Sequence, residues 1–224
     1  MKYRRTLLSL IMFIAFPSLL LSQGYYVQRG QNAFGIETGY SSNKDASSFG
    51  GSLGYSAKGI FDIGLSISQI SFVQQLAGEV LSATSLVPSI TVHAIKQSEI
   101  NPFSIAISVS YESDSYSSAA LDQNYLKLTA DGYTVGATVY GDIETSPTVK
   151  VQPSVGLTYF STTAELKDTY SNSLTTKDDG TVVRAGFALL FQTNEKTILG
   201  IRPSIGIHKS ESSFLLNAGI IFAL

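Results

Sequence analysis

The sequence contains no cysteine and no tryptophan, and only 14% of its 224 residues are charged. The absence of cysteine excludes disulfide scaffolds, thiol catalysis and thiolate metal sites. Soluble proteins average about 25% charged residues, so this chain has too little charge to cover an ordinary wetted surface. We therefore expect part of its surface to face something other than water.

A targeting segment is predicted at the amino terminus. Lys2, Arg4 and Arg5 precede an apolar run over residues 7–21, and small or polar residues follow it. The run is short for a transmembrane helix, which needs about 20 residues, and its basic start is typical of a secretory signal peptide. We predict that residues 1–23 are removed and that residues 24–224 form one domain.

The rest of the chain offers neither a helical anchor nor a basic surface. No later segment reaches the roughly 18 consecutive apolar residues of a membrane helix. Loss of the three basic residues of the signal peptide changes the net charge from −2 to about −5. This balance gives no support to nucleic-acid binding, which depends on Lys and Arg contacts to phosphates.

From Ala33 onwards, large apolar residues alternate with small or polar ones. In one predicted strand, Phe103, Ile107 and Tyr111 belong to a face that alternates with serine and alanine. A soluble barrel would need charged residues on its second face, whereas Gly, Ser and Thr suit a narrow polar lumen. We predict an all-β fold, a closed antiparallel transmembrane β-barrel whose large face meets lipid, because closure satisfies every backbone group inside a membrane.

The connections between predicted strands alternate in length, as in outer-membrane barrels with short periplasmic turns. Ten strands satisfy this pattern with both termini on the periplasmic side. Residues 71–84 and 125–129 could extend strands beyond the membrane or add a hairpin, which leaves eight or twelve strands open. A secreted soluble β-sandwich is a third alternative, because alternation alone does not say which face is wet. The short connections are 58–59, 97–102, 143–147 and 193–196, and the long ones are 71–84, 115–132 and 161–180.

Aromatic residues are expected to mark the two levels where lipid headgroups meet the protein. The alternative explanation of these aromatic residues is that strands favour aromatic residues in general. The predicted outer level contains Tyr40, Phe49, Tyr111, Tyr133, Tyr159 and Phe214, and the inner level contains Phe34, Phe61, Phe103, Phe191 and Phe222.

A seven-residue motif recurs at 151–157 and 201–207, where Pro-Ser-x-Gly stands near the start of a predicted strand. Proline donates no ladder hydrogen bond, so Pro153 and Pro203, like Pro88, are expected at bulges or bends unless the strands are shorter there.

The signal peptide, the alternating hairpins, this motif and the aromatic-rich final segment 214–224 resemble small bacterial outer-membrane β-barrel proteins of the OmpA/OmpX/OmpW-like type. The resemblance is one of pattern and covers the whole mature chain. It implies that the last strand is recognised by the barrel-insertion machinery. Members commonly end in an aromatic residue, whereas this chain ends in Leu224 after Phe222.

Six ionisable residues are predicted to face the lumen as a charge network. An isolated buried charge is costly, so pairs are expected. The preferred pair is Glu37 with Arg202, and the second is Arg184 with Glu112. An ion-pair network that fills the lumen is the first interpretation, and a selective polar pathway is the alternative. The six residues are Glu37, Asp62, Glu112, Lys150, Arg184 and Arg202.

Catalytic residues are sparse, because His93 and His208 are the only histidines. The Asp-x-His pair of omptin-type surface proteases is missing, since Gly206 stands two residues before His208. A Ser-His-acid set of His208, Ser210 and Glu211 is a minor alternative. We expect no catalytic site, no metal site and no cofactor.

These observations predict a monomeric protein of the bacterial outer membrane, in contact with outer-membrane lipid. Its expected role is either structural or the passage of small solutes across the envelope. The alternative is a surface adhesin whose long loops, 115–132 and 161–180, bind an extracellular partner.

Overall fold

The computed structural model describes residues 27–76, 78–170, 172–209 and 211–224, so the predicted signal peptide lies outside them. Within these ranges, no helix is long and apolar enough to cross a membrane. The elements are β1 (Ala33–Ser42), β2 (Ala46–Ala57), β3 (Phe61–Leu76), β4 (Glu79–Ile95), β5 (Ser104–Ser117), α1 (Ala119–Gln123), β6 (Leu126–Tyr140), β7 (Ile143–Ser146), β8 (Val149–Asp168), β9 (Ser173–Asn194), β10 (Thr197–His208) and β11 (Glu211–Ala223).

The strands form one closed antiparallel sheet. Neighbours in the chain pair with each other, and β1 pairs with β11 along its whole length. The four-residue β7 is an addition that pairs only with β8, because β6 and β8 pair directly with each other. The barrel wall therefore contains ten strands, which confirms the predicted fold class and strand count.

The outer surface of the barrel carries the large apolar side chains. Ile36, Leu65, Ile107 and Leu157 are all exposed, whereas their small or polar neighbours in the chain point inwards. Both predicted aromatic levels lie on this outer surface. We call the apolar surface between the two levels the membrane belt. Such a continuous apolar band is stable in lipid and not in water, so the belt places the barrel in a membrane.

Beyond the belt, at the end of the barrel that carries α1, the alternation changes phase. We call this the loop end, and the opposite end, where both termini of the described chain lie, the terminal end. In β3 the apolar residues Phe61 to Ile67 occupy odd positions and face outwards, but Ile70 and Phe72 occupy even positions and face inwards. Because successive side chains of a strand point to opposite faces, this shift moves the apolar residues from the lipid side into the barrel.

The loop-end parts of β3, β4, β5, β6, β8 and β9 extend past the belt and, with α1, form a structure that we call the collar. Ser118 caps α1 by accepting a hydrogen bond from the Ala120 backbone N–H at 3.3 Å, and Leu121 of α1 is buried. The collar therefore has an apolar core of its own, which lies inside the barrel wall at the loop end. The buried members of this collar core are Ala46, Ile70, Phe72, Leu76, Leu81, Ala83, Tyr116, Ala120, Leu121, Leu128, Ala130 and Ala164.

The three segments predicted as long loops are mainly strand. Residues 71–84 extend β3 and β4 around a turn at Gly78, which has a φ of 87° that favours glycine. Residues 115–132 contain the end of β5, α1 and the start of β6, and residues 161–180 extend β8 and β9. Strand extension over 71–84 and 125–129, one of the two alternatives left open above, is therefore what the structure shows. The loop prediction was wrong for 161–180 and for most of 115–132, because the outward faces of these extensions are rich in Ser, Thr and Asp, a composition typical of loops.

Pro88, Pro153 and Pro203 lie inside strands, and none of them is at a change of register, so the expected bulges are absent there. The β9–β10 pairing skips Arg202 and Pro203, and the β4–β5 pairing skips Val87 and Pro88. Pro153 precedes Ser154, the last β8 residue that pairs with β6. Each proline therefore occurs where one neighbouring strand makes no regular pairing, which is how a barrel strand tolerates it.

The segment before β1 packs at the terminal end of the barrel. Val27 is buried against Ala33 and Ile221, and Ile198 packs against the same cluster. Lys96, in the connection after β4, donates a hydrogen bond from Nζ to the Val27 carbonyl at 3.0 Å. The collar core thus lies at one end of the barrel, and this segment lies at the other.

The collar core should contribute measurably to stability. Leu128 is 0% exposed, so Leu128→Ala is expected to lower the free energy of unfolding by about 2–4 kcal/mol, as for other buried leucines. Val80, also in the collar but 61% exposed, provides the control: Val80→Ala should change it by less than about 0.5 kcal/mol. Urea titration of both variants in detergent measures the difference, and equal effects would contradict a packed core.

Candidate functional site: the charged lumen

The seam of the barrel contains a buried ion pair. Glu37 of β1 lies opposite Gly219 of β11, and Arg202 lies one strand further, in β10. Arg202 Nη2 is 3.7 Å from Glu37 Oε1, and both side chains are largely buried. The pair therefore spans three strands across the junction where the first and last strands close the sheet.

Gly219 makes this contact possible. A Cβ built at Gly219 would overlap Cγ of Glu37 and would lie 2.7 Å from the Ile36 carbonyl oxygen. Any larger residue would push the Glu37 carboxylate out of the space over β11, so the glycine is required by the close approach of Glu37.

At the terminal end of the lumen, Asp62, His93 and Tyr140 form a buried chain of hydrogen bonds. His93 Nε2 lies 2.9 Å from Asp62 Oδ2, and His93 Nδ1 lies 2.8 Å from the Tyr140 hydroxyl. When Nε2 carries the proton, it donates to the carboxylate and Nδ1 accepts from the hydroxyl, so a neutral ring satisfies both contacts. The sequence analysis identified Asp62 as a lumen residue but missed its contact with His93, and it missed Tyr140, which is 47 residues from His93 in the chain.

Lys96 lies just beyond these three hydrogen-bonded residues, in the connection after β4. Its ammonium group is 5.7 Å from the centroid of the Tyr140 ring. Burial lowers the pKa of Lys96 to about 8, although Asp142 and Asp62 oppose this change. The Lys96 ammonium thus joins the terminal-end network to the Val27 segment.

Two carboxylates lie on one face of β5 at the base of the collar core. Ser85 Oγ donates to Glu112 Oε1 at 3.0 Å, and Asp114 is the next inward residue. The outward residues beside Asp114 are Ser113 and Ser115, so Asp114 stands outside the membrane belt. Burial raises the pKa of the Asp114 carboxyl to about 6.

The structure distributes the six predicted lumen residues among separate contacts. It brings Glu37 and Arg202 together and places Asp62 against His93. Lys150 lies at the terminal rim, where its ammonium is 3.0 Å from the exposed Glu144 carboxylate. The expected pair of Arg184 with Glu112 does not form, because Glu112 is held by Ser85 and lies beside Asp114.

Arg184 lines a polar cavity of about 70 Å³. Arg202, Asn217 and Gln152 also line it, together with serine and threonine hydroxyls. The cavity was not predicted, because its walls come from strands whose separation in space the sequence pattern does not give. The only sequence signal for it is the series of small polar residues on the lumen face.

His208, the histidine of the Ser-His-acid alternative, is held by contacts within the barrel wall. His208 Nδ1 donates to the Thr181 carbonyl at 2.8 Å, and its ring packs 5.2 Å from the Phe160 ring. Ser210 lies outside the described residues. Among the residues that the structure describes, no three His, Cys, Asp or Glu side chains form a group that could hold a metal ion.

The closed ten-stranded sheet, the membrane belt and the polar lumen are those of a small β-barrel protein of the bacterial outer membrane. No family model and no curated protein matches the chain. Its fold is similar to the translocator domain of autotransporter NalP from Neisseria meningitidis, with a TM-score of 0.53 and 11% identity over 87% of this chain and 89% of that one. The beta domain of the Bordetella autotransporter Brka has a TM-score of 0.51 and 7% identity over 88% and 100%. At these identities, the likeness concerns the fold alone.

The seam pair and the rim pair should differ in their effect on stability. Glu37→Ala leaves the Arg202 charge buried and is expected to cost about 3–5 kcal/mol of unfolding free energy. Lys150→Ala breaks an exposed pair and should cost less than about 1 kcal/mol. A double-mutant cycle of Glu37→Ala with Arg202→Ala checks the coupling by urea titration, and additive effects would show that the two side chains do not interact.

The carboxylate at the base of the collar core should make stability depend on pH. Unfolded Asp114 releases its proton near pH 3.8, whereas folded Asp114 retains it to about pH 6. The folded state binds the proton more tightly, so stability falls as pH rises through this window. Asp114→Asn removes this ionisable group. The gain in free energy of unfolding of this variant over the wild type should therefore increase by about 2–3 kcal/mol between pH 4 and pH 8. Urea titration at each pH measures this difference. A gain that is constant over this range would contradict the burial of an ionised carboxylate.

Proposed function

We propose that this barrel is a non-enzymatic surface protein whose collar presents a rigid binding surface to a partner outside the cell. The assignment of the loop end to the outer side rests on the general orientation of outer-membrane barrels, which keep their termini and short turns on the periplasmic side.

The collar core is the observation that supports this proposal. A membrane barrel needs strands only as long as its belt, yet six strands of this barrel extend further, and five of them contribute buried residues to the core around Leu121. The core fixes the collar in one shape, and a preorganised surface loses less entropy on binding than flexible loops do. The same apolar side chains occupy the lumen mouth, which argues against free diffusion of solutes.

Two tyrosines at the tips of the collar add support. Tyr125 is 74% exposed where α1 joins β6, and Tyr170 is 86% exposed in the β8–β9 turn. Tyrosine is enriched in protein interfaces, because it offers a large apolar surface with one polar end. The partner that fits this surface is a protein.

Passage of small solutes is the second candidate, and the polar cavity beside Arg184 favours it. Passage through the barrel would require movement of both the collar core and the segment at Val27, because they lie at opposite ends of the lumen.

Two measurements separate the candidates. The wild-type protein in a planar bilayer is expected to show no single-channel conductance, and regular conductance steps would favour passage. Bacteria that display the protein are expected to adhere to host-cell or matrix protein layers.

The variant Tyr125→Ala/Tyr170→Ala should lose at least about tenfold of this adhesion, in the range of an interface hot spot. The matched control Phe49→Ala removes an equally large aromatic residue from the belt. Adhesion that is absent in the wild type, or equal in both variants, would contradict the proposed surface.

A further inference from the structure

We propose that the lumen cavity beside Arg184 is a binding site for a small hydroxyl-bearing oxyanion, of which hydrogenphosphate is the simplest. This inference is independent of the surface role proposed above, because it concerns a different part of the molecule.

The charge of the cavity wall favours an anion. Arg184 and Arg202 both line the cavity, and no Asp or Glu is among the described residues that line it. Glu37 contacts Arg202 from the seam side. Hydrogen bonds from guanidinium groups to oxyanions are charge-assisted, short and about twice as strong as neutral ones.

The three proposed binding residues lie on three adjacent strands and line the same cavity. Arg202 of β10 lies opposite Asn217 of β11, and Arg184 of β9 lies opposite Gly206 of β10. A Cβ at Gly206 would lie 3.8 Å from Arg184 Nε, so the arginine side chain lies over this glycine.

Asn217 indicates that the anion carries a hydroxyl group. Asn217 is 5% exposed, and its Oδ1 atom is buried without a hydrogen-bond partner. A buried acceptor without a donor costs about 1–3 kcal/mol, so a ligand that supplies a donor would remove this cost. Hydrogenphosphate offers both acceptor oxygens for the arginines and an O–H donor for Asn217, whereas sulfate at neutral pH has no donor.

The size of the cavity favours a free ion. A volume of about 70 Å³ holds a few water molecules or one small polyatomic ion. A phosphate group attached to a glycerol or sugar would need more room, so we take the free ion, and not a lipid headgroup, as the ligand.

Calorimetric titration of the whole protein without its predicted signal peptide, in detergent and at constant ionic strength, tests the proposal. Inorganic phosphate is expected to bind saturably with one site per barrel. Sulfate should bind at least tenfold more weakly, and glycerol 3-phosphate should not compete. Arg184→Gln and Asn217→Asp should each weaken phosphate binding at least tenfold. Lys177→Gln, which removes a charge from the outward face of the collar, should leave it unchanged.

Each variant is first checked for a folded barrel by its change of gel mobility on heating. Absence of saturable phosphate binding to the wild type would overturn the proposal. So would equal affinities of Arg184→Gln and Lys177→Gln, or equal affinities of phosphate and sulfate. If Arg184→Gln does not fold, Asn217→Asp and the comparison of the three anions on the wild-type protein still decide the question.

Discussion

The pleat of the closed sheet is the constraint on which the rest of this structure depends. Side chains alternate between the two faces of a strand, and closure by the β1–β11 pairing gives the sheet one inside and one outside. Within the belt, large apolar residues occupy the outward positions. In the collar, the inward positions become apolar. One backbone rule therefore produces both a surface for lipid and a core outside the membrane.

The narrow lumen makes each inward charge depend on local contacts. Glu37 reaches Arg202 only because Gly219 leaves space over β11, and His93 is held between Asp62 and Tyr140. Asp114, packed under the collar core, keeps its proton more readily than an exposed carboxyl. The lumen thus contains three separate regions: a terminal-end network, a polar cavity and an apolar core. For this reason, the function of the protein is not inferred from the lumen as one continuous pore.

Much of the fold could be predicted from the sequence, because a period of two over ten strands is a strong signal. Strand extension at 71–84 and 125–129 could be stated as an alternative, but the apolar core of the collar could not be predicted. The polar outward face of the collar has the composition of loops, and the change of phase from Ile67 to Ile70 can be recognised only when the limits of the belt are known. For the site, Glu37 with Arg202 could be inferred from the expected closure of the barrel. The Ser85–Glu112 contact and the cavity could not, because they depend on how far strands are staggered across the lumen.

The orientation of the belt is the central claim, and the absence of tryptophan from the sequence makes it directly measurable. A single tryptophan at Ile107, in the belt, or at Val73, on the outward face of the collar, reports its surroundings by fluorescence in vesicles that contain lipids with brominated acyl chains. The account predicts strong quenching for Ile107→Trp and weak quenching for Val73→Trp. Equal quenching at the two positions, or none at Ile107→Trp, would contradict it.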